Sequence, residues 1–276
     1  MIRRLNVAGK GASACIFTVW NEGKMTFQRR LTRKIQVGTT FIGGDAPVAI
    51  QTMTATKTTD VEATASAINS LVDAGAALVR VAVDSLNDVK ALEEIRKRTT
   101  ANISVDLQEN FRLAEKVAPF VEKIRYNPGH LHHLEQTLSW EKKVEYLVGV
   151  CREFDCAMRV GVNCGSLDPT AKARNAGGAA VDAALESALA NVDLLESLGF
   201  ERYCVSIKSS DPEAVVWVNR RFAELRPLVP LHLGVTEAGA PPRGVLKTRL
   251  ALEPLLASGI GETLRVSLTV KAAQKT

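Results

Sequence analysis

Arg80, Arg125, Arg159, Lys208 and Arg265 fall in five separate short, apolar, β-branched runs of this 276-residue chain. Asn127, Asn163 and Ser267 follow in three of the same runs, while the carboxylates in comparable places are Asp106 and Glu237. A guanidinium presents a planar fork of donors, stays charged at any relevant pH, and binds carboxylate or phosphate oxygens in pairs. Burying such a group without an anionic partner is costly, so five cations against two carboxylates call for an anion from outside the chain. A diphosphate ester, with several charged oxygens on one small molecule, suits that surplus best. The alternative is that the arginines reach carboxylates on surrounding helices and serve stability alone.

The elements that hold these residues repeat along the chain. Strand-like runs lie near 48–53, 78–83, 103–108, 121–127, 158–163, 203–208, 231–236 and 263–269, with helical periodicity over 60–73, 86–98, 111–117, 140–154, 181–198, 213–225 and 243–258. Glycine or proline marks the joins at Gly75, Pro128, Gly199, Pro230 and Gly259. The clearest unit is 231–269, which reads strand, loop, helix, strand, and such a unit implies parallel pairing. Eight strands with intervening helices over about 250 residues is the size of a TIM (β/α)8 barrel, whose functional face lies at the carboxyl ends of the strands. The pattern counts seven helices, so the expected fold is an α/β TIM barrel incomplete at its eighth helix. Leu264, Val266 and Leu268 are then expected to be partly uncovered, a seam prone to self-association. Two alternating runs around Gly38-Thr39-Thr40 predict an N-terminal β-hairpin plugging the barrel floor. Residues 1–29 have no clear period and read as a disordered or mis-started extension, with Met25 an alternative start, ahead of a barrel domain over 30–276.

Composition narrows the function classes. The chain is 46% hydrophobic and 24% charged, ordinary for a soluble globular domain, and its apolar runs are too short to span a bilayer. A net charge of +5 is spread over the helices and forms no basic tract, which argues against a nucleic-acid partner and leaves a cytoplasmic protein as the expectation. Five cysteines include no CxxC pair, and His130, His132 and His133 crowd one loop without a recognisable metal spacing, so they read as surface histidines and no metal ligand is assigned. Cys164, beside the mouth, lacks a basic partner in sequence and reads as a lining residue.

The motifs together resemble one known family. Thr32-Arg33, Ile42-Gly43-Gly44, Gln51-Thr52-Met53-Thr54, Val79-Arg80-Val81-Ala82-Val83, Arg125-Tyr126-Asn127-Pro128-Gly129, Arg159-Val160-Gly161-Val162-Asn163, Ser206-Ile207-Lys208, 231–239 and 259–269 are similar to the 4-hydroxy-3-methylbut-2-enyl diphosphate synthases of the methylerythritol phosphate route to isoprenoids. The resemblance implies reductive ring opening of 2-C-methyl-D-erythritol 2,4-cyclodiphosphate, with electrons delivered through a [4Fe-4S] cluster from reduced ferredoxin or flavodoxin. It implies that Arg80, Arg125, Arg159, Lys208, Arg265 and Ser267 bind the diphosphate, that Asn127 and Asn163 orient it, and that Glu237, with Asp106, serves catalysis beside the cluster. It also implies a head-to-tail homodimer, or a complex with a separate cluster-bearing domain.

Two departures qualify the likeness. Where the family has Asp, apolar, His, Phe, this chain has Asp106-Leu107-Gln108-Glu109, and an amide cannot shuttle a proton as an imidazole does. None of Cys15, Cys151, Cys156, Cys164 and Cys204 matches the family's cluster ligands, so the cluster is expected from outside this sequence and the barrel alone is expected to be inactive. The rival expectation is a non-catalytic module that keeps the cation ring and binds the cyclic diphosphate. A pterin-synthase-like barrel is a third reading, disfavoured by the match over the last two strands.

Overall fold

The computed structural model describes residues 28–175 and 178–269, together with the backbone of Val19–Asn21 and Lys24–Thr26. Eight strands form the barrel: β1 Ala49–Met53, β2 Leu78–Val83, β3 Ile103–Leu107, β4 Lys123–Tyr126, β5 Ala157–Asn163, β6 Tyr203–Lys208, β7 His232–Leu233 and β8 Thr263–Leu264. Strands β1 to β6 pair in parallel in chain order, and β8 lies between β7 and β1. A parallel bridge from Val205 to Leu231 joins β6 to the segment entering β7 and closes the ring. Two further bonds support that closure, Val205 N to Pro230 O at 3.0 Å and Thr236 N to Ser209 O at 3.0 Å.

The expected strands all exist, but β7 and β8 are shorter than 231–236 and 263–269. Beyond Leu233 and Leu264 the chain stays extended and keeps single bonds, such as Arg265 N to Leu233 O at 3.0 Å, in place of a continuous ladder. Helices α1 Val61–Asp73, α2 Leu86–Arg96, α4 Trp140–Glu153, α6 Ala180–Ser197, α7 Pro212–Leu225 and α8 Arg243–Ala257 fall where the periodicity places them. The helix expected over 111–117 shortens to α3 Ala114–Val117, flanked by single 3-10 turns. An unexpected short helix, α5 Pro169–Arg174, follows β5; Asp168 caps it through Ala171 N, and Pro169 sits where a helix does not need an N–H donor. Capping elsewhere follows the sequence: Ser85 and Asp88 form a reciprocal box at α2, and Asp60, Ser139 and Asp211 accept from the first turns of α1, α4 and α7.

Alternation along the strands divides the core. Val79, Val81, Ile103, Val105, Ile124, Met158 and Val160 point outward and pack on Ile68, Leu92, Ile95, Leu147, Leu195 and Phe222 of the helices. Inside the barrel the lower level is apolar as well. The hairpin Ile35–Val37/Thr40–Ile42 inserts Ile35, Val37 and Ile42 among Ala49, Leu78, Ala157 and Cys204. It is the plug expected from Gly38-Thr39-Thr40.

The chain ahead of the hairpin runs across the loops of the same end. Arg30 N bonds Gly259 O at 3.2 Å, Arg33 N bonds Leu228 O at 2.7 Å, and Arg30 pairs with the buried Glu262 at 3.2 Å. Of the N-terminal extension, 1–18 lies outside the described residues, and Val19–Asn21 pairs antiparallel with Lys24–Thr26. No helix follows β8 among the described residues. Val266 is 48% exposed there, Leu264 and Leu268 are half-buried, and Ile50, opposite Leu264 in register, is 44% exposed. No helix among the described residues is long and apolar enough to cross a membrane.

Candidate anion-binding site at the barrel mouth

A cavity of about 230 Å³ opens at the carboxyl ends of the strands, and Arg80, Asp106, Arg125, Asn127, Arg159, Asn163, Lys208, Arg265 and Ser267 all line it. Of the residues that the resemblance assigns to the site, Glu237 alone does not, and Cys164, read in the sequence as a lining residue, does not line this cavity either. Glu237 lies exposed on the rim after β7 with a φ of 51°, and its carboxylate has no ion-pair partner among the described residues. The cation ring therefore faces one interior carboxylate where the sequence offered two.

Asp106 is that carboxylate. Its Oδ1 accepts from Arg125 Nη1 at 2.6 Å and its Oδ2 pairs with Arg80 Nη1 at 3.2 Å. Burial alone would raise the Asp106 pKa, but the charges of Arg125, Arg80 and Arg159 outweigh burial and hold it below the usual carboxylate range. Asp106 is thus a fixed anion that spaces two guanidiniums. Among the described residues no helix carboxylate outside the barrel pairs with any of the five cations.

The other three cations have no ion-pair partner among the described residues. Arg159 is 1% exposed, and its Nε and Nη1 are buried without a partner. Burial, then Arg80 and Arg125, push its pKa well below the arginine value. A guanidinium keeps its proton at neutral pH, so this downward push marks how unfavourable the surroundings of Arg159 are for unpaired positive charge. Lys208 has no ion-pair partner among the described residues, and burial followed by Arg159, Arg265, Arg80 and Arg125 drives its pKa far down. Arg265 donates to Ser267 Oγ, and Met53 Sδ lies 3.6 Å from Arg265 Nη1 and 2.8 Å from Arg80 Nη2, a soft acceptor between two cations.

Two glycines make room for this crowding. A Cβ on Gly161 would lie 2.1 Å from Arg125 Nε, and Arg125 Nη2 donates to Gly161 O at 2.8 Å. A Cβ on Gly234 would lie 2.8 Å from Lys208 Nζ. Above the ring, Asn127 donates to Ser166 Oγ at 2.8 Å and accepts from Gly129 N, while Asn163 accepts from Gly165 N at 3.2 Å. Both amides are held by the loops that follow their strands.

Below the ring lies a polar level that the sequence reading missed. Lys123 and His232 are fully buried, Lys123 Nζ donates to Gln51 Oε1 at 2.8 Å, and His232 Nδ1 is 3.3 Å from Thr263 Oγ1. Burial lowers Lys123 to about 8 and, joined by Lys208, Arg159 and Lys123, lowers His232 well below the ordinary histidine value. The signal was present as polar residues at inward-facing positions of β1, β4 and β7. His130 was also misread: it lines the mouth cavity, and so is not simply a surface histidine.

A site with this architecture has relatives. Residues 32–276 match the family model of the GcpE TIM-barrel domain. The chain belongs to that family. A protein of Rhodopirellula baltica named 4-hydroxy-3-methylbut-2-en-1-yl diphosphate synthase (flavodoxin) is 54% identical over 251 residues, which is 91% of this chain and 66% of the relative. One of the same name from Nitratiruptor sp. is 45% identical over 244 residues, 88% of this chain and 66% of that protein. The chain therefore spans about two thirds of the length of the curated relatives it matches.

Among solved structures, a truncated 3-deoxy-D-arabino-heptulosonate 7-phosphate synthase from Thermotoga maritima superposes with a TM-score of 0.57 at 12% identity, covering 89% of this chain and 83% of that one. A dihydropteroate synthase from Xanthomonas albilineans gives 0.56 at 14% identity, over 85% and 92%. These two establish the barrel fold alone.

Among the described residues the cysteines do not assemble a cluster site, and Cys15 lies outside those residues. No group of three or more histidine, cysteine or acidic side chains is arranged to hold a metal among the described residues. Cys151, Cys156 and Cys204 are buried in the core, and burial raises each thiol, that of Cys156 to about 12. Cys164 is half-buried and likewise raised by burial. The donors among the described residues do not fit an iron–sulfur cluster.

Proposed function

We propose that the barrel mouth binds 2-C-methyl-D-erythritol 2,4-cyclodiphosphate and that this chain is the substrate-holding barrel of a 4-hydroxy-3-methylbut-2-enyl diphosphate synthase, an oxidoreductase of isoprenoid biosynthesis. The observation that carries the reading is the imbalance at the mouth: five cations line about 230 Å³ with Asp106 as the interior carboxylate. A cyclic diphosphate supplies the missing charge. Arg159, Arg265 and Lys208 give it direct charge-assisted bonds, Arg80 and Arg125 are spaced by Asp106 to flank it, and Ser267, Asn127 and Asn163 complete its polar surround.

The work assigned to this chain is binding, orientation and removal of the diphosphate from bulk water. The ligands of a [4Fe-4S] cluster belong to another domain, in the same or a second polypeptide, and a homodimer would bring such a domain over the mouth. Reduced flavodoxin, which the relatives' names mention, or ferredoxin is the electron donor in this reading, and the cytoplasm is its setting. Glu237, exposed at the rim, is placed where it would meet whatever covers the mouth, and its role there is proton handling.

Calorimetry with the cyclodiphosphate tests the reading. The wild-type chain is expected to bind it, and Arg159→Met to lose about 2–3 kcal/mol of affinity, the scale of a charge-assisted contact. Absence of wild-type binding overturns the proposal. Binding with no turnover once a cluster-bearing partner and reductant are added would favour a non-catalytic cyclodiphosphate-binding module, with Gln108 as the mark of lost chemistry.

A further inference from the structure

The mouth holds many cations but few groups able to give up a proton near neutral pH. Guanidiniums do not release theirs and Asp106 is kept ionised by its three arginine neighbours, which leaves Lys208, whose pKa is lowered by burial, and His130. His130 is the imidazole among the residues lining this cavity. It sits in the 3-10 turn Pro128–His130, which begins one residue after Asn127; Asn127 caps the turn by accepting from Gly129 N. The turn thus ties His130 to the ligand-facing end of β4.

The ring has a defined tautomer. His130 Nδ1 lies 2.8 Å from the backbone carbonyl oxygen of Gln108, after β3, and a carbonyl only accepts, so Nδ1 carries a proton. Nε2 is then the nitrogen left to act, as acceptor in the neutral ring and as donor in the imidazolium. His133 stacks on the ring at 5.4 Å between centroids and is itself 3.2 Å from Glu109, while His132 packs edge-on against His133 at 4.2 Å. On the cavity side stand Arg80, Arg125, Arg159, Lys208, Arg265 and Asp106. These cations draw an anionic ligand to the side of the mouth that His130 lines.

We propose that His130 is the proton-donating, ligand-contacting imidazole of the mouth, with Nδ1–H fixed on Gln108 O and Nε2–H supplied to an oxygen of the bound cyclic diphosphate. This rests on the binding reading above and assigns it one further residue. When the proton moves to the ligand oxygen, the ring remains as the neutral Nδ1–H tautomer, still bonded to Gln108, and Nε2 takes its next proton from hydronium or a buffer acid of the solvent after the protonated ligand leaves. The backbone carbonyl performs the tethering, so the glutamine side chain at 108 is not needed for it.

The test is long-range 1H–15N spectroscopy of the full chain with labelled histidines, with and without the cyclodiphosphate, and with inorganic pyrophosphate as a second probe. His130 is assigned by its loss in His130→Asn, whose side-chain amide can keep the bond to Gln108 O but cannot reach as Nε2 does. In the free chain Nδ1 of His130 is expected to be protonated. On saturation Nε2 is expected to carry a proton directed at a ligand oxygen. His130→Asn should weaken binding about tenfold below neutrality, with the deficit fading as pH rises; His130→Gln, which retains a donor of similar reach, should restore affinity without the pH dependence. An Nε2–H tautomer in the free chain, or ligand binding that leaves the His130 nitrogens unmoved, overturns the assignment while sparing the binding reading. Failure of wild-type to bind the cyclodiphosphate overturns both.

Discussion

The floor and the mouth of this barrel are made by the same strands and by alternate residues of the same inward-facing set, yet they have opposite chemistry. At the floor Ala49, Leu78, Ala157 and Cys204 close on Ile35, Val37 and Ile42 of the hairpin, all buried and free of charge. Two or more residues further along β2, β5 and β6 the same set becomes Arg80, Arg159 and Lys208, and β4 and the end of β8 add Arg125 and Arg265. One end gains stability from burying apolar surface, and the other gives stability up by holding like charges together. The polar level of Gln51, Lys123 and His232 separates them, so the transition is graded. A barrel of this kind can be perturbed at either end with different readouts.

The largest separation is expected from removing the carboxylate at the mouth. Asp106→Asn leaves Arg80 and Arg125 without their shared anion, and breaking a buried ion network by deleting one partner costs about 3–5 kcal/mol. Because an anionic ligand supplies the same charge, the cyclodiphosphate should stabilise this variant against heat more than it stabilises the wild type. Equal ligand-induced shifts in Tm would show that Asp106 does not share its work with the ligand.

At the floor the expectation is the converse. Ile42→Ala removes a fully buried side chain from the plug and should cost about 3 kcal/mol in denaturant unfolding, within the range for large-to-small core changes. Affinity for the cyclodiphosphate should be unchanged, since the polar level lies between. A matching loss of affinity would mean that the hairpin sets the spacing of the mouth cations and that the two ends are coupled.

What could be read from the sequence follows the same division. Inward cations were legible because a charged residue inside a β-branched run has few structural excuses, and all five reach the mouth. Glu237 was placed by its position after a strand, but a positive φ turns the chain there and leaves the side chain on the rim. His130 looked like one of three surface histidines because its tether, the carbonyl of Gln108, has no side-chain signature. Lys123 and His232 sit early in their strands, where polar residues ordinarily begin a strand at the surface; only the closed ring shows them to be interior. The shortened β7 and β8 were likewise hidden, since composition marks an extended segment but not whether its ladder is continuous. Helix α5 is six residues long, too short for periodicity to register.

The smallest effect concerns the level between the two ends, and it is read from pH. Burial lowers the Lys123 ammonium to about 8 from an ordinary 10.5. Below about pH 8 both folded and unfolded chains carry that proton, and the folded chain bears the full cost of a buried charge. Between about 8 and 10.5 the unfolded chain still holds a proton that the folded chain has released, so stability rises with pH across this window. From pH 8 to 9.5 the rise attributable to Lys123 is about 2 kcal/mol, at 1.36 kcal/mol per pH unit. Lys208 is lowered by burial too, so the wild-type curve alone does not isolate Lys123, but its difference from Lys123→Met does. Denaturant unfolding at several pH values should show a shallower rise in that variant than in the wild type. Parallel curves would mean that Lys123 keeps its charge throughout, and that the buried cationic region begins at the polar level, just above the hairpin.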